Sequence, residues 1–389
     1  MTSQADALRA ALVDRLLTHR WIVSRTVEAA FRAVPRHAFL PGLPLEEVYA
    51  DRSIAIKLED GVPISSSSQP AIMAVMLELL RTQPGERVLE IGTGSGYNAA
   101  LLATLLGPRG RVTTIDLDGD LVAAARARLD AAGFGAVRTR VGDGALGVPD
   151  DGPYDAAVAT VAVGGVPAAW HAQLRAGARL VMPLSVGLNQ KVVAFEREPD
   201  RFVSTATVEA SFMTLRGPSA ALTGATVALG DEAIVLNVLD PRAVDAAALA
   251  RTLREPYQDV APARPLARDE VLSGFAFWLG ARDERFCHLT AYGEAATRGA
   301  VPGLSFDASA YGHAGTLGVC AGDELAVFTV NDEHEPAIRR FGPDRGAVAR
   351  VQRALIAWDE AGRPGSERLR IEAVQRAGAA WLDLRVSWR

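Results

Sequence analysis

The sequence predicts an α/β protein: a doubly wound, mostly parallel sheet with helices before it and an α+β domain after it. Three observations predict this. Between residues 86 and 195, short continuous apolar runs alternate with helical segments, the pattern of parallel strands covered on both faces. One of these runs, 87–91, passes directly into alternate glycines and then a helix, the geometry of a ligand site at the carboxyl end of an open sheet. Beyond about residue 217 the alternation is lost, and a total of 389 residues is long enough for a second domain. The expected division is 1–220 and 221–389, in a stretch (220–230) rich in small residues.

The elements follow in order. Residues 5–18 place Leu8, Leu12, Leu16 and Leu17 on one helical face, and Ser24 caps a second helix that Pro35 stops at about Val34. A helix over 71–80 follows a serine run. The expected core strands are 87–91, 111–115, 137–141, 154–160, 178–183 and 191–195, with helices at 97–106, 119–132 and 166–174. The tail reads as helices at 240–254, 269–279 and 346–361, a hairpin over 315–330 turning at Ala321-Gly322-Asp323, and final strands at 368–374 and 380–386.

Composition narrows the class. Hydrophobic residues make up 49% and charged residues 22%, as in an ordinary globular protein. A formal net charge of −5, with arginines dispersed among acids, disfavours a nucleic-acid partner. The first residues carry Asp6, Arg9, Asp14 and Arg15, so they lack the apolar centre of a signal peptide. The uncharged stretches 91–108 and 156–174 are interrupted by glycines, Asn98, Pro167, His171 and Gln173 and read as core pieces, not membrane spans. Cys287 and Cys320 are the only cysteines, too few for a disulfide framework or a thiolate metal site, and a cytoplasmic location is expected. The histidines are scattered without ligand spacing, so no metal site is expected.

The run Val88-Leu89-Glu90-Ile91-Gly92-Thr93-Gly94-Ser95-Gly96-Tyr97 clears side chains from the end of a strand. The glycines alone would also admit a dinucleotide, although their spacing departs from that fingerprint. The acids that follow point elsewhere. Asp116 ends the second strand, where a carboxylate can accept both ribose hydroxyls. Asp143, in Gly142-Asp143-Gly144, ends the third, where it or its flanking amides can meet an adenine edge. With Glu90 they form an acid-lined site for a cationic sulfonium cofactor, S-adenosylmethionine, and the fold becomes the Rossmann-like one of class I methyltransferases.

Ile64-Ser65-Ser66-Ser67-Ser68-Gln69-Pro70 precedes the core strand. Ser68 as an N-cap and Pro70 in the first helical turn would explain one serine, not four. Here the chain resembles the protein-L-isoaspartate O-methyltransferase family. The resemblance lies in Val34-Pro35-Arg36-His37-Ala38-Phe39, Tyr49-Ala50-Asp51, Ser68-Gln69-Pro70, Val88 to Tyr97, Gly142-Asp143-Gly144, Pro153-Tyr154-Asp155 and Leu180-Val181-Met182-Pro183, in the family's order. It implies that Ser68 is the active-site serine and that Ser66 replaces a family threonine. It also implies cofactor contacts at Ser67, Glu90, Gly92, Gly94, Gly96, Asp116, Asp143 and Gly144, and a peptide or protein acceptor carrying Asp or isoAsp. Ser67 departs from the family, which has an apolar residue there.

The implied chemistry needs no general base. A carboxylate with an ordinary pKa near ~4 is ionised at neutral pH, so hydroxyls need only orient it toward the methyl group. Residues 221–389 have no counterpart in shorter family members, which end near 212–217. Ser273-Gly274-Phe275-Ala276-Phe277-Trp278-Leu279 and residues 315–330 are similar to the extension of methyltransferases from ribosomal-peptide gene clusters, including the FxLD-system group. That resemblance implies methylation of an aspartate in a precursor peptide, promoting aspartimide formation, with the extension for peptide recognition. Phe275, Phe277 and Trp278 themselves read as core. Repair of isoaspartate, which needs only the first half, and a non-catalytic cofactor-binding scaffold are the alternatives. A base-modifying enzyme is disfavoured by Thr160-Val161-Ala162-Val163 after the fourth strand.

Overall fold

Two helices open the chain, each started by a serine: α1 (Gln4–Thr18) and α2 (Arg25–Ala33), where the Ser3 and Ser24 side chains accept hydrogen bonds from the amides of Asp6 and Val27. The computed structural model describes residues 3–59, 62–218, 224–230, 233–305, 312–331 and 335–389. The expected boundary at 220/221 lies outside the described residues. The chain forms two units, the first comprising Met1–Leu184, Gln190–Ala221 and Ile371–Arg385, the second Ser185–Asn189, Leu222–Arg370 and Val386–Arg389. The division is therefore not a single cut, since 371–385 returns to the first unit.

In the first unit, a 3-10 turn (Arg36–Phe39) and a short helix α3 (Leu45–Val48) lead to an antiparallel hairpin, β1 (Ile54–Glu59) and β2 (Val62–Ser67). The serine run thus lies on a strand, with Ser66 opposite Ala55 and Ser67 opposite Ile54. Helix α4 (Pro70–Leu80) begins at Pro70, and Ser68 is not its cap. There follow β3 (Arg87–Ile91), α5 (Tyr97–Leu106), β4 (Arg111–Asp116), α6 (Gly119–Ala131), β5 (Arg138–Val141), β6 (Tyr154–Ala159) and α7 (Ala168–Gln173). These match the expected elements within one or two residues.

Three long strands come next: β7 (Leu174–Val186), β8 (Asn189–Arg197) and β9 (Arg201–Glu209). No strand was expected at β9, whose half-buried alternation includes Ser204, Thr205 and Thr207. It pairs antiparallel with β8. With the last two strands, β17 (Leu369–Val374) and β18 (Asp383–Trp388), the sheet order is β18-β17-β9-β8-β7-β6-β3-β4-β5. The pairs β6–β7, β3–β6, β3–β4 and β4–β5 are parallel. The order reverses between β3 and β6, and ligands bind at such a switch point, beyond the strand ends. On one face, Val88, Val112, Ala156 and Val158 are buried beneath α1, α2, α4 and α5.

The second unit contains an antiparallel sheet in the order β10-β11-β13-β14-β15-β16-β12. Its strands are β10 (Ala225–Ala228), β11 (Ile234–Val238), β12 (Gln258–Val260), β13 (Phe286–Tyr292), β14 (His313–Ala321), β15 (Glu324–Val330) and β16 (Pro336–Phe341). The expected hairpin is β14–β15. Phe275, Phe277 and Trp278 are buried, as expected for core residues. The helix Ala347–Glu360 begins at Gly346, whose φ of 104° is open to glycine. The amides at its entry are met from the hairpin: Glu324, fully buried, accepts from the amide of Arg345 just before the helix (3.0 Å) and from that of Ala347, its first residue (3.1 Å). Glu324→Ala should cost about 1–2 kcal/mol. Hydrogen exchange at the Arg345 and Ala347 amides should accelerate in the variant; unchanged protection would remove the capping role.

Candidate active site

The serine segment is held from behind by residues that precede β1. Arg36 is completely buried; its Nε donates to the Val48 carbonyl and its Nη2 to the Ser68 carbonyl, each at 3.0 Å. Its guanidinium lies 5.1 Å from the Tyr97 ring centroid, and burial pushes its pKa down. Asp51 supplies the cap that Ser68 does not: it accepts from the Ala71 amide at 2.9 Å and from Gln69 Nε2 at 3.0 Å. His37 Nδ1 and the Tyr49 hydroxyl lie 2.7 Å apart. These contacts give physical content to the early motifs, which place the serines and do not line the site.

The turn after β3 requires glycine for two different reasons. Gly92 has φ 99°, and a Cβ there would lie 2.4 Å from Thr160 Oγ1. Gly94 has φ 50°, faces the Ser66 carbonyl, and donates its amide to Asp116 Oδ2 at 3.0 Å. Gly96 packs instead against Ala125 and Leu129 of α6.

At the carboxyl ends of β3, β4 and β6 lies a cavity of about 690 Å³. Of the residues expected from the sequence, Ser66, Ser68, Gly92, Gly94, Asp116 and Gly144 line it, while Ser67 lines a recess of about 30 Å³. Glu90, Gly96 and Asp143 line neither. Asp143 accepts from the Ala145 amide at 3.0 Å and so shapes the turn that carries Gly144. Glu90 is fully buried; one oxygen accepts from Asn98 Nδ2 at 2.8 Å and the other has no hydrogen-bond partner. Burial pushes its pKa up to about 7, against the pull of Thr114 and Asn98.

Sequence reasoning missed one wall. Residues 209–216 line the cavity as a strap, and its sequence has no periodicity to mark it. The strap is stitched to Ala162, whose amide donates to the Met213 carbonyl (2.8 Å) and whose carbonyl accepts from Leu215 (2.7 Å). Arg216 pairs with Asp118, which Lys57 of the β1–β2 hairpin also approaches at 3.4 Å. Ser53, Ser65 and Ser211 add hydroxyls to the wall. Among the described residues, no group of three or more His, Cys, Asp or Glu is placed to hold a metal, and no helix is long and apolar enough to cross a membrane.

The donor set fits S-adenosylmethionine better than a dinucleotide. Among the described residues Arg216 is the one cation in the wall and is engaged by Asp118, while the Asp116 carboxylate stands at the turn and an unpartnered Glu90 oxygen lies buried behind it. Phosphates would meet uncompensated acids here; a sulfonium would be favoured. Gly92, Gly94, Asp116 and Gly144 could hold such a cofactor. Fold and site together are those of a class I S-adenosylmethionine-dependent methyltransferase.

Comparison with known proteins gives the family. The protein-L-isoaspartate(D-aspartate) O-methyltransferase model matches residues 7–219, and the chain belongs to this family of carboxyl O-methyltransferases. It is similar to the protein-L-isoaspartate O-methyltransferase of Methylorubrum populi, 41% identical over 218 residues, which are 56% of this chain and 99% of that one. The Thermotoga maritima protein of the same name is 35% identical over 198 residues, 50% of this chain and 62% of the relative. A solved protein-L-isoaspartate O-methyltransferase matches 98% of this chain and 99% of its own at a TM-score of 0.56 and 24% identity, a likeness of fold. That coverage reaches the second half, whose fold therefore recurs in a protein of that name, whereas the Methylorubrum populi relative is matched almost end to end by 56% of this chain.

The buried carboxyl makes stability pH-dependent. Because the folded pKa of Glu90 (about 7) exceeds the unfolded value (4.5), the folded state holds the extra proton between them. The stability it contributes is complete below pH 4.5 and is lost as pH rises through 7, a change of roughly 3 kcal/mol. In ligand-free protein, Glu90→Gln should flatten this slope between pH 5 and 8. An unchanged slope in denaturant titrations would refute the assignment.

Proposed function

We propose that the chain methylates the side-chain carboxylate of an aspartate in a ribosomally made precursor peptide, and that the second unit contributes to recognising that peptide. The observation that supports a carboxylate acceptor is the wall of hydroxyls, Ser53, Ser65, Ser66, Ser68 and Ser211, which shares the cavity with the glycine turn and, among the described residues, has no unengaged cation beside it. Gly92, Gly94, Asp116 and Gly144 hold the cofactor, with Glu90 and Asp143 acting from behind. When bound, S-adenosylmethionine supplies the methyl group to the carboxylate oxygen. Ser68 and Ser66 orient that carboxylate by hydrogen bonds, and because it is already ionised no side chain has to remove a proton. The ester then cyclises without the protein: the neighbouring backbone nitrogen attacks the ester carbonyl and loses its proton, and the methoxide leaves as methanol. Ser67, where the family resemblance implies an apolar residue, supports an acceptor other than the family's usual one.

A second reading, repair of isoaspartate in damaged proteins, is favoured by the relatives' names and by the whole-length likeness to a solved enzyme so named. The two are separated by incubating the full chain and S-adenosylmethionine with an isoaspartyl peptide and with a precursor peptide encoded beside its gene. The first reading expects the precursor to gain one methyl group and then lose methanol. Methylation of the isoaspartyl peptide alone would overturn it in favour of repair, and methylation of neither would leave a non-catalytic scaffold.

Two variants test the roles. Ser68→Ala should lower turnover about 10-fold or more with cofactor affinity retained, an alignment loss of at least ~1.4 kcal/mol. Unchanged turnover would remove Ser68 from the catalytic wall. Asp116→Ala should weaken S-adenosylhomocysteine binding by about 10-fold or more, as expected for loss of a charged hydrogen-bond acceptor; an unaltered dissociation constant in calorimetry would exclude a cofactor role.

A further inference from the structure

We propose that the recess behind the serine segment is a single-water site, whose water joins Ser67 Oγ to the Asn98–Glu90 pair and makes Ser67 a positioning residue for the cofactor side of the cavity. The inference rests on the methyltransferase reading and is independent of which carboxylate is methylated.

Ser67 is 4% exposed, and its hydroxyl has no hydrogen-bond partner. The end of β2 turns this side chain inward, opposite Ile54, while Ser66 and Ser68 on either side line the main cavity. The recess it enters is about 30 Å³, enough for a water molecule. Asn98 and Thr93 contribute polar groups to the recess wall, and Met73 and Met76 close its apolar side. Asn98 is also the donor to Glu90 Oε1, and Val158, which borders the recess, is the strand neighbour of Glu90. Glu90 Oε2 is the other buried oxygen here without a partner.

A buried hydroxyl left unpaired is costly, and a water in the recess would bond Ser67 Oγ and the Asn98 side chain that also holds Glu90 behind the recess wall. An apolar side chain at position 67 would fill the recess and exclude the water. With serine, the residue between the two cavity-lining hydroxyls is tied to the carboxyl beneath the glycine turn. The recess shares Ser66, Ser68, Gly92, Gly94 and Thr160 with the main cavity, so displacement of Ser67 would be felt at the cofactor wall.

The test uses the full chain with S-adenosylhomocysteine and needs no acceptor peptide, so a wrong acceptor cannot decide it. Calorimetric dissociation constants are measured for the wild type, Ser67→Ala, Glu90→Gln and the double variant. We expect each single variant to weaken binding about 3- to 10-fold and the double variant to be no weaker than the worse single one, because each change breaks the same bridge. Independent effects that multiply would overturn the proposal, as would no effect of Ser67→Ala. A crystal structure of the wild-type complex keeps the proposal testable if a variant fails to fold. It should show one water within hydrogen-bond distance of Ser67 Oγ and of Asn98 or Glu90; a dry recess, or one filled by the ligand, would overturn it.

Discussion

The site depends on one buried cation. Taking a guanidinium out of water is expensive, and Arg36 is retained because two carbonyls and the face of Tyr97 receive it. The two groups it joins belong to opposite walls of the site. The Ser68 carbonyl belongs to the serine segment, whereas Tyr97 is the first residue of α5, the helix that the glycine turn opens. A single rigid fork therefore sets the spacing between the hydroxyls and the turn, and a lysine, with one point of charge, could not make the same two directed bonds.

The rest of the cavity follows from strand order. The sheet reverses direction of growth between β3 and β6, and this opens a crevice where the ends of β3, β4 and β6 meet. Gly92, Asp116 and Thr160 stand at those three ends, and the bonds between Ala162 and the strap carry residues 209–216 across the opening. The Lys57, Asp118 and Arg216 charges then connect hairpin, loop and strap, although such partly exposed pairs contribute modestly and fix geometry more than stability.

What the sequence disclosed tracks how completely each element is buried. Strands β3, β4 and β6 are covered on both faces, so Val88-Leu89-Glu90-Ile91 and Ala156-Ala157-Val158-Ala159 stand out as continuous runs. Strand β9 and most of the second unit's strands did not stand out. Arg201–Glu209 alternates buried with half-exposed positions, and Ala225–Ala228 is a short edge strand. In the site, residue types and order were legible, since glycines after a strand and acids after the next two have a chemical reading. Orientation was not. Ser67 turning inward depends on the register of a hairpin whose strands contain serines and a proline, and the withdrawal of Glu90 beneath the turn depends on Asn98 eight residues later. The strap was hidden because its role comes from β9 delivering it, and β9 itself was unmarked.

The charges near the acceptor wall explain why so little catalytic apparatus is needed for the chemistry proposed. A carboxylate acceptor is weakened as a nucleophile by any cation that binds it tightly, and it is repelled by an uncompensated acid. Arg216, the cation in the wall, is held by Asp118, and Lys191, almost wholly buried, lies 3.6 Å from Glu209. Both positive groups are thereby committed to acids of the protein itself. What remains along the serine segment, away from the Asp116 carboxylate, is hydroxyl and backbone, which can orient a carboxylate without neutralising it. A site of this kind adds little by proton transfer and much by alignment, the effect that restricting reactants to one geometry is known to supply. Discrimination among peptides must then come from shape and from contacts away from the reacting atoms, because every aspartyl and isoaspartyl carboxylate presents the same charge to the serines.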